Sequence, residues 1–206
     1  DYLNSFNQYK SNVDDLKIHF VLEKGKGTKN YPLVLLHGWP GSVSEFHNII
    51  PMLTENSNNI SFDVVAPSLP GFGFSDKPNK PIGPRKMANY INTLLVDVLG
   101  YKNYFAQGGD WGSYIAAWLA FDNPKNCNGI HINMMGFRHI HGTQNEEEKK
   151  WEDDFELNVE LQKGYMTQKA TKPLTLAYSM IDNPVGVAAW ILEKFHDWSD
   201  VKDNDF

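Results

Sequence analysis

Apolar residues recur in two rhythms along the first two thirds of the chain, and the alternation between them predicts the architecture. Leu16, Ile18, Phe20 and Leu22 repeat at period two, the mark of a strand with one buried face, antiparallel or near an edge. Leu33 to Leu36 form a continuous apolar run, and Val64, Val65 and Ala66 form a shorter one after Phe62, as expected of strands buried on both faces. Residues 43–55 between them suit a helix. From Met87 to Val98 the apolar side chains follow i, i+3, i+4 spacing, which predicts a helix over 85–99 that stops at Gly100. A strand around Tyr104–Gln107, a helix over 112–121 apolar almost all round and so expected to be buried, and a strand near 129–134 complete the series. Strands alternating with helices predict an α/β fold with a mostly parallel sheet covered on both faces.

Beyond about residue 136 the texture changes. Glu146 to Lys150 is a charge run, read as the solvated face of a helix carrying Trp151, Phe155 and Leu161 on its other side, and nothing strand-like follows. Two regions are therefore expected, an α/β core over 1–135 and a helical one over 136–206.

Composition narrows the function. With 19 Lys+Arg against 25 Asp+Glu the net charge is −6, which excludes a polyanion such as nucleic acid as the partner. One cysteine, Cys127, cannot form an internal disulfide, so the fold must rest on packing. Asp1 to Ser5 have neither the basic start nor the apolar run of a signal peptide, and there is no apolar stretch of about 18 residues or more.

The chemistry is concentrated in Gly108-Gly109-Asp110-Trp111-Gly112, between a strand and an apolar helix. This matches a nucleophile elbow, G-x-Nu-x-G, whose turn is so tight that the residues two before and two after the nucleophile must be small. Here the nucleophile is Asp110. A carboxylate needs no base to attack and can displace a leaving group from an sp3 carbon to form an alkyl ester. The N-terminus of the next helix favours negative charge there. A second segment, His37-Gly38-Trp39-Pro40-Gly41, follows the Leu33–Leu36 strand, and its glycines allow close backbone approach to a ligand. His37 is read as a hydrogen-bonding residue that shapes this loop with Gly38 and Pro40, and not as a catalytic base.

These two segments, with Pro67-Ser68-Leu69-Pro70-Gly71-Phe72-Gly73-Phe74-Ser75 between them, resemble the epoxide hydrolases of the α/β-hydrolase fold. The stretches around Pro81 (80–88) and Pro184 (183–195) are similar to the microsomal and juvenile-hormone branch in particular. The resemblance implies that Asp110 opens an epoxide ring, that the main-chain N–H groups of Trp39 and Trp111 form the oxyanion hole, and that Tyr165, matching the first of two lid tyrosines, donates a hydrogen bond to the epoxide oxygen. It implies a helical lid beginning at about residue 136, a hydrophobic epoxide as the partner, either terpenoid-like or aromatic, and neither cofactor nor metal. It also implies an endoplasmic reticulum membrane location through an N-terminal segment not among these residues, without which the chain reads as cytoplasmic.

The same resemblance puts a water-activating histidine, its acid partner and a second tyrosine later than Phe206, so the chain looks truncated at both ends and alkylation without turnover is expected of these residues alone. The histidines after Asp110 are His131, His139, His141 and His196, and none lies in the late glycine-rich loop where the family keeps its base. Two alternatives compete. A haloalkane dehalogenase also pairs an elbow aspartate with tryptophan but usually carries Asn where Trp39 stands, and an inactive binding protein on the same fold has no need of a strained turn holding a carboxylate.

Overall fold

The computed structural model describes residues 3–55, 59–135 and 142–200, and the chain divides into two compact units, 1–137 and 138–206. The first is built on a six-stranded sheet of β1 (Gln8–Val13), β2 (Leu16–Glu23), β3 (Lys29–Leu36), β4 (Ile60–Pro67), β5 (Tyr104–Gly108) and β6 (Cys127–Ile132). Their order across the sheet is β1-β2-β4-β3-β5-β6. β1 and β2 form an antiparallel hairpin, β2 lies antiparallel to β4, and β4, β3, β5 and β6 run parallel. Because β2 is second from the edge, its middle is buried on both faces: His19 and Val21 are enclosed as well as Ile18 and Phe20, so the single buried face read from period two is corrected.

The apolar runs are sorted by the pleat. Val34, Leu36 and Val65 point to one face, where Tyr90, Ile91, Leu94 and Leu95 of the 84–98 helical segment and Ile115, Ala116 and Leu119 of α3 (Trp111–Asp122) close the main core. Leu33, Leu35, Val64 and Ala66 point to the other, against Phe46 and Ile50. The segment over 43–55 is two pieces, a 3-10 turn (Val43–Phe46) and α1 (Ile49–Thr54). Pro51 explains the break, since inside one continuous helix its ring would clash with the carbonyl four residues earlier, whereas in a first turn it is tolerated. α2 (Pro84–Thr93) runs on through a π turn (Leu94–Val98) and ends at Gly100, whose φ of +76° suits glycine. α3 is enclosed along one side only. Phe121 is exposed, and Trp118 is covered by the Arg85 guanidinium, 4.5 Å above its ring and paired with Asp122.

The second unit holds α4 (Glu146–Gln162), α5 (Gly164–Thr171), α6 (Pro173–Met180) and α7 (Pro184–Asp197). Asn145 and Asn183 accept hydrogen bonds from the backbone N–H groups of Glu148 and Gly186, capping α4 and α7, and Pro184 occupies the first turn of α7. On α4, Trp151 and Phe155 stack at 5.2 Å and stay partly exposed, and Leu161 is more exposed still. No helix among the described residues is long and apolar enough to cross a membrane.

Candidate active site

The parallel pairing that sets Leu36 beside Gly108 brings two loops together at the same end of the sheet, the turn after β5 and the turn after β3. At the first, Asp110 stands between strand and helix with φ +50° and ψ −126°, a conformation costing about 1–3 kcal/mol that the surroundings must impose. They impose it through backbone contact. A β-carbon on Gly108 would lie 2.1 Å from the Gly112 carbonyl oxygen, and one on Gly112 would lie 2.1 Å from that of Leu36. Gly109 is confined by the Asn133 carboxamide, 2.3 Å from where its β-carbon would be. The elbow is thus pressed against the strand on either side.

The second loop closes on the carboxylate. Trp39 N–H donates to Asp110 Oδ1 at 2.6 Å, and Gly38 must be glycine because its β-carbon would stand 2.2 Å from that same oxygen. Trp111 is the first residue of α3, so its N–H has no acceptor within the helix; its indole is half exposed and packs on Tyr114 at 5.8 Å. Pro40 follows a cis peptide and is exposed.

His37 is buried beneath this loop. Its Nε2 accepts from Leu69 N–H at 3.1 Å, so the proton resides on Nδ1, which donates to the Gly38 carbonyl at 3.0 Å. Burial pushes the imidazole below its ordinary value of 6.5, against the Gly38 bond and the Asp110 charge, which favour the cation. With both nitrogens committed to backbone, His37 cannot take a proton from water without breaking the loop. Its partner Leu69 belongs to the Pro67–Ser75 segment, which Ser75 pins by donating from Oγ to the Ser68 carbonyl and accepting from His19 N–H.

Glu45, unread in the sequence, shares the second loop. Its carboxylate folds over Gly41, occupying the space of a side chain there, and burial followed by the Asp110 charge pushes it up, against a Ser42 backbone bond. The one sequence signal was the paired glycines of 37–41, each making room for a carboxylate. A cavity of about 1030 Å3 on this side of the sheet reaches Glu45 and Asn133, but neither Asp110 nor Trp39 lines it, so the chemistry and not cavity size locates the site.

Tyr165 lies in the second unit, in the first turn of α5 beside a cavity of about 550 Å3. Of the later histidines, His131 is on β6, His196 pairs with Asp197 at 3.0 Å, and His139 and His141 lie outside the described residues.

A strained aspartate at a strand-to-helix elbow, with a neighbouring loop N–H on its carboxylate, matches the elbow of the α/β-hydrolase fold. The chain belongs to the α/β-hydrolase fold family, whose model matches residues 31–176, and residues 1–46 match the epoxide hydrolase N terminus. It is 36 % identical over 219 residues to juvenile hormone epoxide hydrolase 1 of Ctenocephalides felis, covering 96 % of this chain and 47 % of that protein. Against epoxide hydrolase 1 of Oryctolagus cuniculus the identity is 34 % over 238 residues, covering 100 % and 51 %. The crystal structure of juvenile hormone epoxide hydrolase from Bombyx mori superposes with a TM-score of 0.79 at 39 % identity, over 96 % of this chain and 47 % of that one. The chain spans about half the length of the relatives it matches.

Proposed function

We propose that the protein carrying this chain hydrolyses a hydrophobic epoxide to a vicinal diol through an ester on Asp110. The observation that carries this reading is the Trp39 N–H on Asp110 Oδ1. That bond fixes one carboxylate oxygen and leaves the other to attack a ring carbon. As the new C–O bond forms, the ring C–O bond breaks, and Tyr165 gives its phenolic proton to the departing oxygen. In the ester, Oδ1 is the carbonyl oxygen. When water adds to Cγ, negative charge develops on Oδ1, where Trp39 N–H and the start of α3 stand to receive it. His37 is not the base for that water, because its nitrogens are already bonded, and it serves to hold the loop.

Residues 136–206 are read as the beginning of a helical lid domain. The substrate is taken to be apolar because the chain is similar to relatives named for juvenile hormone and because Trp39 and Trp111 flank the proposed nucleophile. An aspartate attacking carbon also suits a haloalkane, but that reading lacks the tryptophan at position 39 as a usual feature.

Mass spectrometry tests the central claim. Treated with an epoxide, the chain should gain the full mass of the epoxide on the peptide bearing Asp110. In a single turnover of the whole protein in 18O-water, the diol should be unlabelled while Asp110 acquires label. Label in the first-turnover diol would mean direct attack by water and would end the proposal.

A further inference from the structure

Among the described residues of the second unit Lys194 of α7 alone is buried, its side chain 7 % exposed, and it is a lysine. Lysine is almost never enclosed without a dedicated environment. Here that environment is aromatic: its ammonium lies 5.3 Å from the Tyr165 ring centroid, 5.7 Å from Trp190 and 5.9 Å from Trp198. The Tyr165 and Trp198 rings pack at 5.2 Å and 59°. The carboxylate partner is Glu193, adjacent in sequence and half exposed, so the charge is only partly answered by its ion pair. The Trp190 indole Nε1 is buried without a hydrogen-bond partner, so Trp190 meets the ammonium through its ring alone. Tyr165, Trp190 and Lys194 together form part of the wall of the 550 Å3 cavity.

Of the three rings, only the nearest carries an acidic proton. A cation over a phenol attracts the ring's π density and stabilises negative charge appearing on its oxygen. We propose that Lys194 is a positioning residue for ring opening: it fixes the Tyr165 ring and stabilises the phenolate that Tyr165 becomes on giving its proton to the epoxide oxygen. In that step the Asp110–carbon bond forms, the ring C–O bond breaks, the phenolic proton passes to the new hydroxyl, and the phenolate beside Lys194 later regains a proton from solvent. The proposal rests on Tyr165 being the donor.

The test is a double-mutant cycle in the whole protein, reading the single-turnover rate of Asp110 alkylation by styrene oxide alongside KM and kcat. K194M should slow alkylation about 10-fold in the wild-type background and have no further effect beside Y165F, since the two act as one unit. K194R, which keeps the cation, should recover most of the rate. Equal slowing by K194M with and without Tyr165, an unchanged rate in K194M, or a change in KM alone would overturn the proposal and leave Lys194 a packing residue. A Y165F variant that alkylates at the wild-type rate would overturn it too, by removing the donor, while the adduct on Asp110 would still stand. Should K194M fail to fold by circular dichroism, K194Q takes its place in the same cycle.

Discussion

The glycines around Asp110 in the first unit differ from those of the helical unit. In the first, Gly108 and Gly112 each face a main-chain carbonyl oxygen 2.1 Å from where a side chain would begin, and Gly38 faces the Asp110 carboxylate at 2.2 Å. In the second, Gly142 and Gly164 have nothing within 4 Å. Burial divides the units in the same way: most core strands and α3 bury apolar side chains on the sheet, whereas α4, α5 and α6 have no buried residue and α7 encloses only Lys194. Asp110, the proposed nucleophile, is therefore held by backbone meeting backbone, whereas Tyr165 packs against the side chains of Lys194 and Trp198. A site component of the first kind has no softer substitute, while one of the second kind can be tuned.

The largest expected contrast is in chemistry. Asp110→Ala should lower alkylation by about 10⁴-fold or more, because it removes the attacking atom. Tyr165→Phe should cost about 10²-fold, the usual scale of a lost proton donor. Acid-quenched single-turnover assays measure both, and a Tyr165→Phe loss as large as that of Asp110→Ala would contradict the distinction between framework and tuning.

Stability should follow the glycines. Gly112→Ala must displace either the Leu36 carbonyl or the elbow, and is expected to lose roughly 3 kcal/mol or more along with adduct formation. Gly164→Ala, in open space at the start of α5, should be neutral or stabilising by up to about 1 kcal/mol. Ile115→Ala should lose about 2–5 kcal/mol from the main core, whereas Leu174→Ala on exposed α6 should stay within about 0.5 kcal/mol. Urea unfolding of each pair decides; a large loss at Leu174 would show that α6 is covered in the whole protein.

This contrast also sets what could be read from the residues alone. The elbow was legible because backbone sterics restrict which residues can stand at 108 and 112, and β3, β4 and β5 were legible because strands buried on both faces carry near-continuous apolar runs. β1 was not read as a strand: as an edge it buries only Val13, so Gln8 to Asn12 carry no alternation. α3, apolar all round, could not announce that Trp111 and Phe121 would face outward. The His37–Leu69 bond, the Glu45 carboxylate over Gly41 and the aromatic cage of Lys194 depend on which loops and helices meet, and no local pattern encodes them.

A dependence on pH also separates the units, by window. His37 is held below 6.5 in the fold by burial, so the unfolded chain binds the proton first. Stability is then complete above about pH 6.5, falls as pH drops through that value by up to about 1.4 kcal/mol per pH unit for one proton, and levels off below the folded value. His19, lowered by burial and by Lys10, adds a second proton in the same unit. In the second unit Asp197 is held below 3.8, first by His196 and then by Gln162, so its contribution is present above that value and fades only in stronger acid. His37→Gln, which can keep one donor and one acceptor, should remove one proton's worth of slope between pH 7.5 and 5.5 in urea titrations. Asp110→Ala should act in the opposite sense, because the Asp110 charge favours protonated His37: without it the imidazole stays neutral to lower pH, and the slope extends further into acid. An unchanged slope in His37→Gln would show that the histidine is not buried as the neutral tautomer, and the loop beneath Asp110 would need another support.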